Sequence, residues 1–270
     1  MDNNTKNNAE HSSYRNYYRE MQLEKSIYEK KRITRYISFF RFVDFLKNGL
    51  FIPNTTLFED RWEGLVALNN SLAKSYIDKT HFAKIKKALE WIHVSCWYNN
   101  EKENYLMWKA YGHNNEAVRI ETTKDKLIQA YRDSPYFYAA YLKEVEYWEI
   151  TMDQSSIKVP SLIAPIGDKI PPIDENGVNI VQIMPHLFVK YDPYHGENEL
   201  RLVCLNKDYQ YPNTQPLPGI TIKIHNISDF LKGITLAPGA TNEVYETAQM
   251  IVERYAPEIT NKIKRSILDI

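Results

Sequence analysis

The sequence predicts an α+β fold: a mostly antiparallel, curved sheet with helices on its flanks. Three observations carry this. Short runs alternate apolar and polar residues at period two, at 33–38, 92–98, 116–121, 199–204 and 220–224. Other stretches place apolar residues at helical spacing, most clearly 242–256 with Val244, Ala248, Ile251, Val252 and Tyr255. With 270 residues, 43% hydrophobic and 25% charged, the chain can bury a sizeable core.

Taken in order, residues 1–14 are Asn-rich and charged and predict a disordered tail, leaving 15–270 as a single domain. An irregular stripe of Tyr17, Met21, Leu23, Ile27 and Tyr28 predicts a helix over 14–31 on the outside of the body. The first strand, 33–38, sets Ile33, Arg35 and Ile37 on one face and Thr34, Tyr36 and Ser38 on the other. A short helix follows over 39–47, with Asn48-Gly49 as its C-cap, and then a strand, 50–52, ended by Pro53.

Charged and aromatic residues crowd 56–64, which reads either as a functional loop or as a helix start capped by Asp60 and Glu63 and running over 65–76. A helix over 82–91 leads into a central strand, 92–98, and Leu106, Met107, Trp108 and Tyr111 give 105–112 a helical stripe. Strand 116–121 and helix 123–131 come next, then a strand-rich stretch over 136–150. Pro160, Pro165, Pro171, Pro172, Gly167 and Gly177 make 151–180 an irregular loop or lid. A short helix is expected over 180–188, a polar hairpin turn over 206–213, and a last short helix lined by Ile259, Ile263 and Ile267.

Composition narrows the function classes. Lys and Arg balance Asp and Glu at 34 each, so no global field recruits nucleic acid or an anionic membrane. The two basic clusters, Lys30-Lys31-Arg32 with Arg35 and Lys84 with Lys86-Lys87, read as solvated helix faces. There is no apolar run of the roughly 18 residues a membrane helix needs, and the polar start lacks the core of a signal peptide. Cys96 and Cys204, both in strand-like contexts, imply no disulfide framework, so a reducing, cytoplasmic setting is expected. Twenty Tyr residues against 10 Phe and 5 Trp indicate half-buried rings, as in a cleft that stacks a planar ligand.

The stretch 188–204 organises the functional reading. Turn chemistry at Asp192-Pro193 and His195-Gly196 is followed by Glu197, Glu199 and Arg201 at period two, the pattern of one strand face. Carboxylates two residues apart on a strand lie about 6.5 to 7 Å from each other, close enough to act on one ligand. The simpler alternative is a solvated face with weak cross-strand ion pairs. His93 and Cys96 form a His-x-x-Cys, but strand alternation points them to opposite faces, so no metal site is expected. No Gly-rich phosphate loop is present.

Several stretches together resemble the bacterial family filed as domain of unknown function 2971. They are Arg35-Tyr36 on the first strand, Asn48-Gly49-Leu50, and a Phe-x-Asp-x-x-Glu loop (Phe58, Asp60, Glu63). Ser95-Cys96-Trp97, a Leu-Met-Trp-x-x-Tyr-Gly run from Leu106 to Gly112, and Glu-x-Glu-x-Arg-Leu from Glu197 to Leu202 continue it. The loop departs from the family's Asn-Asp-Pro, reading Glu59-Asp60-Arg61 here.

The chain is also similar, more distantly, to ADP-ribosyltransferase domains, in which an Arg, a Ser and a Glu-x-Glu from successive strands surround NAD. Arg35, Ser95, Glu197 and Glu199 occur in that order. This resemblance implies a split sheet with a cleft between its halves, NAD as substrate and no metal. It further implies transfer of ADP-ribose to an acceptor of unknown identity, in a bacterial toxin or phage-defence effector.

The residue types suit that chemistry. Breaking the nicotinamide–ribose bond develops positive charge on the sugar, which a carboxylate at Glu199 stabilises, while Glu197 orients or deprotonates the acceptor. Arg35 offers a fork for phosphate, and Ser95 is expected to hold Glu199 or a ribose hydroxyl. Trp97, Trp108 and Tyr111, with Tyr36 beside them, are the expected ring surfaces for nicotinamide, and Asp60 and Glu63 an acidic loop that assists. Two other readings stay open: a metal-dependent hydrolase or nuclease using Asp60, Glu63, Glu197 and Glu199, or a non-catalytic ligand- or protein-binding module whose aromatic residues form the contact surface.

Overall fold

Alternating sequence becomes strand wherever one face can be buried, and eleven such segments form in the computed structural model, which describes residues 31–58, 79–111, 116–136, 139–149, 184–206 and 215–268. In chain order they are β1 (Arg32–Ser38), β2 (Leu50–Pro53), β3 (Ile92–Tyr98), β4 (Ala117–Thr123), β5 (Ala139–Glu144), β6 (Glu146–Trp148), β7 (Val189–Tyr191), β8 (Glu199–Leu205), β9 (Gly219–Ile222), β10 (Gly233–Leu236) and β11 (Ile263–Arg265). Six helices accompany them: α1 (Phe39–Asn48), α2 (Lys79–Leu89), α3 (Tyr105–Tyr111), α4 (Lys124–Arg132), α5 (Ile227–Phe230) and α6 (Asn242–Tyr255). No helix among the described residues is long and apolar enough to cross a membrane.

Seven strands make one open sheet in the order β11-β10-β4-β1-β3-β8-β5, antiparallel throughout except for the β10–β11 pair. Two two-stranded sheets flank it, β2–β9 antiparallel and β6–β7 parallel. The mixed α/β architecture with a large, mostly antiparallel sheet is the one expected. The expected tail and helix of residues 1–30, the segment 59–78 with Asp60 and Glu63, and the lid at 151–180 lie outside the described residues.

One face of the sheet carries the main core. Ile33, Trp97, Val118, Ile120, Leu200, Leu202, Cys204, Ile234 and Leu236 pack there against Phe42, Phe45 and Leu46 of α1, Leu127 of α4, and Ala248 and Val252 of α6. The helices follow ordinary capping rules: Ser38 and Thr241 accept the Arg41 and Val244 N–H groups at the starts of α1 and α6. On the opposite face, Ile92, Val94, Val203, Leu205 and Tyr141 are covered by Met184, Leu187 and Phe188 of a short 3₁₀ segment, Met184–Phe188. Farther along that face Tyr36, Tyr98, Met107 and Trp108 form an aromatic cluster.

The C-terminal end corrects an expectation. Ile259, Ile263 and Ile267 do not share a helix; Pro257–Lys262 is a 3₁₀ turn and Ile263–Arg265 is β11, a parallel edge strand beside β10. β-branched Ile at every fourth position fits a strand as well as a helix once an open edge is available to pair with. The stretch 136–150 likewise divides into β5 and β6 at Val145, whose N–H donates to the Glu199 carbonyl at 2.8 Å.

Gly49 ends α1 with φ 112°, and its N–H donates to the Phe45 carbonyl at 2.9 Å. A Cβ there would collide with the Ile222 carbonyl of β9. Gly49→Ala therefore combines a disallowed φ with a backbone clash and is expected to lower the unfolding free energy in urea by roughly 2 to 3 kcal/mol; a change within about 0.5 kcal/mol would contradict the close approach of α1 to β9. Burial pushes the pKa of His186, in the Met184–Phe188 turn, down to about 4. The unfolded imidazole takes its proton near pH 6.5 and the folded one only near the lowered value, so stability is complete above about pH 6.5 and is lost as pH falls toward 4. The loss is on the order of 3 kcal/mol, and His186→Phe should flatten that limb of a stability-versus-pH curve.

Candidate active site

β1 is paired unequally on its two sides. Toward β4 every residue pairs, from Arg32 with Thr123 to Ser38 with Ala117, whereas toward β3 the registered pair is Thr34 with Tyr98. Beyond it the strands part, and the end of β2 wedges in, where Asn54 forms an isolated bridge with His93 of β3. Side-chain chemistry pins the wedge. The Asn54 N–H donates to the Pro218 carbonyl at 2.9 Å, its Oδ1 accepts the Thr56 N–H at 2.8 Å, its amide donates to the Glu90 carbonyl, and the Thr55 hydroxyl donates to the Leu89 carbonyl at 2.8 Å.

The opening is a cleft of about 760 Å³ whose lining includes Arg35 and Tyr36 from β1, Pro53, Leu57 and Phe58 from the wedge, and Cys96, Trp97 and Tyr98 from β3. Glu199, Glu197, Lys190 and Tyr194 close one side, and Met107 and Tyr111 another. Arg35 and Glu199 thus share one hollow.

Arg35 is positioned by β3. Its Nη1 donates to Ser95 Oγ at 3.3 Å, and its guanidinium carbon lies 6.0 Å from the Trp97 ring centroid. The Trp97 indole N–H donates to the same Oγ at 2.9 Å. Burial lowers the Arg35 pKa, while the charge of Glu199 acts in the opposite direction; a guanidinium stays protonated under such a shift. Ser95 does not hold Glu199 as expected. The β3–β8 register sets Ser95 beside Leu202 and Tyr98 beside Glu199, on opposite faces, so Ser95 serves as the buried acceptor that aims Arg35.

The acidic side is built by β6, β7 and β8. Glu199 opens β8, but Glu197 ends a 3₁₀ turn, Asp192–Glu197, and is not on the strand. Asn198 between them adopts a left-handed conformation with φ 38°, which Asn tolerates better than most residues, and its carbonyl accepts the Asn99 N–H at 2.8 Å. Lys190 of β7 donates to Glu197 Oε2 at 2.6 Å and lies 3.8 Å from Glu199 Oε2, with the Tyr194 ring centroid 4.8 Å from its ammonium. Arg201 donates through Nε and Nη2 to Glu199 Oε2 at 3.1 and 2.7 Å, and through Nη1 to the Leu187 carbonyl at 2.6 Å. The Tyr147 hydroxyl, whose pKa burial raises to about 12, accepts the Glu199 N–H at 2.9 Å.

Glu199 is 7% exposed and Arg201 1%, so the alternating charges form a buried network, not a solvated face. Burial opposes ionisation of Glu199, but Arg201 and Lys190, with hydrogen bonds from Arg201 and Cys96, outweigh it and hold the carboxyl below its usual range. Glu199 is an anion at neutral pH.

The expected ring surfaces separate. Trp97 forms part of the cleft wall, Tyr36 lines it with its hydroxyl accepting the Asn104 N–H at 3.0 Å, and Tyr111, 41% exposed, stands at the mouth. Trp108 does not line the cleft: it is 3% exposed, packs edge-on against Tyr36 with centroids 4.7 Å apart, and donates its indole N–H to Glu103 Oε2 at 3.1 Å. Three positions separate 108 from 111, yet one ring faces the core and the other solvent. Metal-ligating side chains come together in no group of three or more among the described residues. His93 binds the Leu217 carbonyl through Nε2 at 3.2 Å, on the face opposite Cys96.

Sequence reasoning passed over Lys190, Tyr194, Cys96 and Tyr98 as site residues and gave Arg201 no task. For Cys96 and Tyr98 a signal existed, because they share the β3 face that the register brings beside Glu199 and Arg201. Lys190 could not be placed this way, since its position depends on the parallel pairing of Tyr147 with Lys190 across the segment that separates β6 from β7.

Arg201→Leu leaves a buried anion with only Lys190 and the Cys96 thiol as weaker partners among the described residues and is expected to cost roughly 3 to 5 kcal/mol in urea denaturation. The double variant Glu199→Leu with Arg201→Leu should recover part of that loss, because a neutral pair leaves no stranded charge. An Arg201→Leu chain within about 1 kcal/mol of the native one would show that the network carries no such strain. Comparison of the chain with protein-family models, with curated proteins and with solved structures finds no match.

Proposed function

We propose that this chain is an ADP-ribosyltransferase-like enzyme that cleaves the nicotinamide–ribose bond of NAD and passes ADP-ribose to an acceptor. The observation that carries the reading is the meeting of Arg35 from β1 and the ionised Glu199 from β8 in one cleft, at the place where the sheet opens between β1 and β3. An opening of this kind is compatible with the split sheet that the resemblance to such domains implies, which supports the reading. The motif residues behind the resemblance to domain of unknown function 2971, Arg35-Tyr36, Ser95-Cys96-Trp97 and the Glu197–Leu202 run, gather around the same cleft, which supports the reading further.

In this proposal Arg35, held by Ser95 and backed by Trp97, donates to the pyrophosphate of NAD. The half-exposed Tyr111 ring is the surface against which nicotinamide stacks. As the glycosidic bond lengthens, positive charge spreads over the ribose, and Glu199, already deprotonated and fixed by Arg201, stabilises it without first having to lose a proton. Preorganisation of this kind acts at the transition state and not on substrate affinity.

The test is nicotinamide release from NAD by the purified chain. Native protein is expected to release it, and Glu199→Gln, which keeps the shape but removes the charge, to slow kcat by about two orders of magnitude or more with KM little changed. Circular dichroism confirms that the variant is folded. A folded native chain that leaves NAD intact ends the proposal.

A further inference from the structure

Among the described residues the cleft and its immediate support hold three cations, Arg35, Lys190 and Arg201, against two carboxylates, Glu197 and Glu199. Each acid already has a cation of this chain beside it. Lys190 occupies the corner between them, 2.6 Å from Glu197 and 3.8 Å from Glu199, roofed by the Tyr194 ring and itself buried. Arg201 binds the same Glu199 oxygen that Lys190 approaches, Oε2, at 2.7 Å.

We infer that Lys190 sets the acceptor class of the proposed transfer reaction. By filling the carboxylate corner with the chain's own ammonium, it turns away guanidinium and amine acceptors and leaves the cleft to an uncharged hydroxyl. The inference rests on the NAD-cleaving reading of the same site. A cationic acceptor arriving at Glu197 would compete with the Lys190 ammonium for that carboxylate and would bring a like charge close to both Lys190 and Arg201. A hydroxyl meets neither obstacle. It needs one acceptor for its proton, and Glu197 retains lone pairs beyond the one bound to Lys190.

The step balances without a further reagent. The bond from ribose C1′ to the nicotinamide nitrogen breaks, and its electron pair leaves with neutral nicotinamide. The hydroxyl oxygen bonds to C1′, and its proton passes to the Glu197 carboxylate. Lys190 stays an ammonium throughout, so it is a specificity-determining and not a catalytic residue.

The experiment incubates the full chain with NAD in the presence of equal concentrations of methanol, a neutral hydroxyl probe, and agmatine, a guanidinium probe. Nicotinamide and both adducts are measured in the same reaction. Methyl ADP-ribose should dominate with native protein. Lys190→Met should shift the ratio of agmatine adduct to methyl adduct at least tenfold toward agmatine, and Lys190→Arg, which keeps the charge, should leave the ratio near the native one. Agmatine preferred by the native chain, or a ratio unmoved by Lys190→Met, overturns the assignment. The native preference tests it even where Lys190→Met does not fold. Absence of nicotinamide release takes down the proposed function and this inference together, and is told apart from failure of the inference alone by the nicotinamide signal.

Discussion

The pairing of Thr34 with Tyr98 is the constraint on which the cleft depends. β1 is fully registered with β4, and β3 with β8, so each half of the sheet is independently satisfied and the join between them can be local. Extending that pairing would bring β1 and β3 together at strand spacing, about 5 Å, and close the space that Arg35 and the wedge at Pro53–Phe58 now border. Backbone groups left unpaired in a sheet interior are costly unless something else meets them. Here part of the demand on β3 is met by Asn54, which pairs with His93 and is anchored to the carbonyls of Glu90 and Pro218. The opening is therefore held from both ends, by a strand pair at one and by a side-chain staple at the other.

Such an opening lets residues from opposite faces of a sheet meet. By alternation Arg35 belongs to the face of Ile33 and Trp97, and Glu199 to the face of Tyr98 and Val203. In a continuous sheet a layer of backbone would stand between them. At the gap a long side chain anchored on one face reaches the hollow that a carboxylate from the other also borders, which is how both come to line one cleft. The Ser95 hydroxyl is central to this, because accepting from both Arg35 and the Trp97 indole fixes where the guanidinium lies.

Much of this was legible in the sequence, and the remainder was not for identifiable reasons. Period-two runs placed β1, β3, β4, β8 and β9 within a residue or two, since each has one face in a core. Glu199 stands out in the period-two charge pattern, and Arg35 is singled out by the resemblance to ADP-ribosyltransferase domains. The burial of Glu199 and Arg201 could not be read in this way, because Glu-x-Glu-x-Arg has the pattern of a solvated face until the Met184–Phe188 turn and the β6–β7 pair are laid over it. The same holds for Trp108, whose inward direction depends on Tyr36 and Glu103 as partners, and for β11, which exists because β10 offers an edge. Local pattern tells which residues alternate; long-range pairing decides which side of the alternation is dry.

The buried charges bear on function through their cost. Desolvating Glu199, Arg201 and Lys190 takes back much of what their mutual attraction returns, and a well-packed apolar cluster of the same volume would usually be at least as stable. The network is thus poorly explained as a device for holding β8 in place, a task that its neighbours Leu200, Leu202 and Val203 already perform by packing. What it does supply is a carboxylate that is ionised despite burial, fixed in direction by two donors of one guanidinium, and set at the edge of a half-apolar hollow where its field is weakly screened. Those three properties are what a group must have to meet charge that develops only during a reaction, and water at an exposed surface would remove the last of them. This cost, borne beside an opening in the sheet, supports the proposed chemistry at the opening.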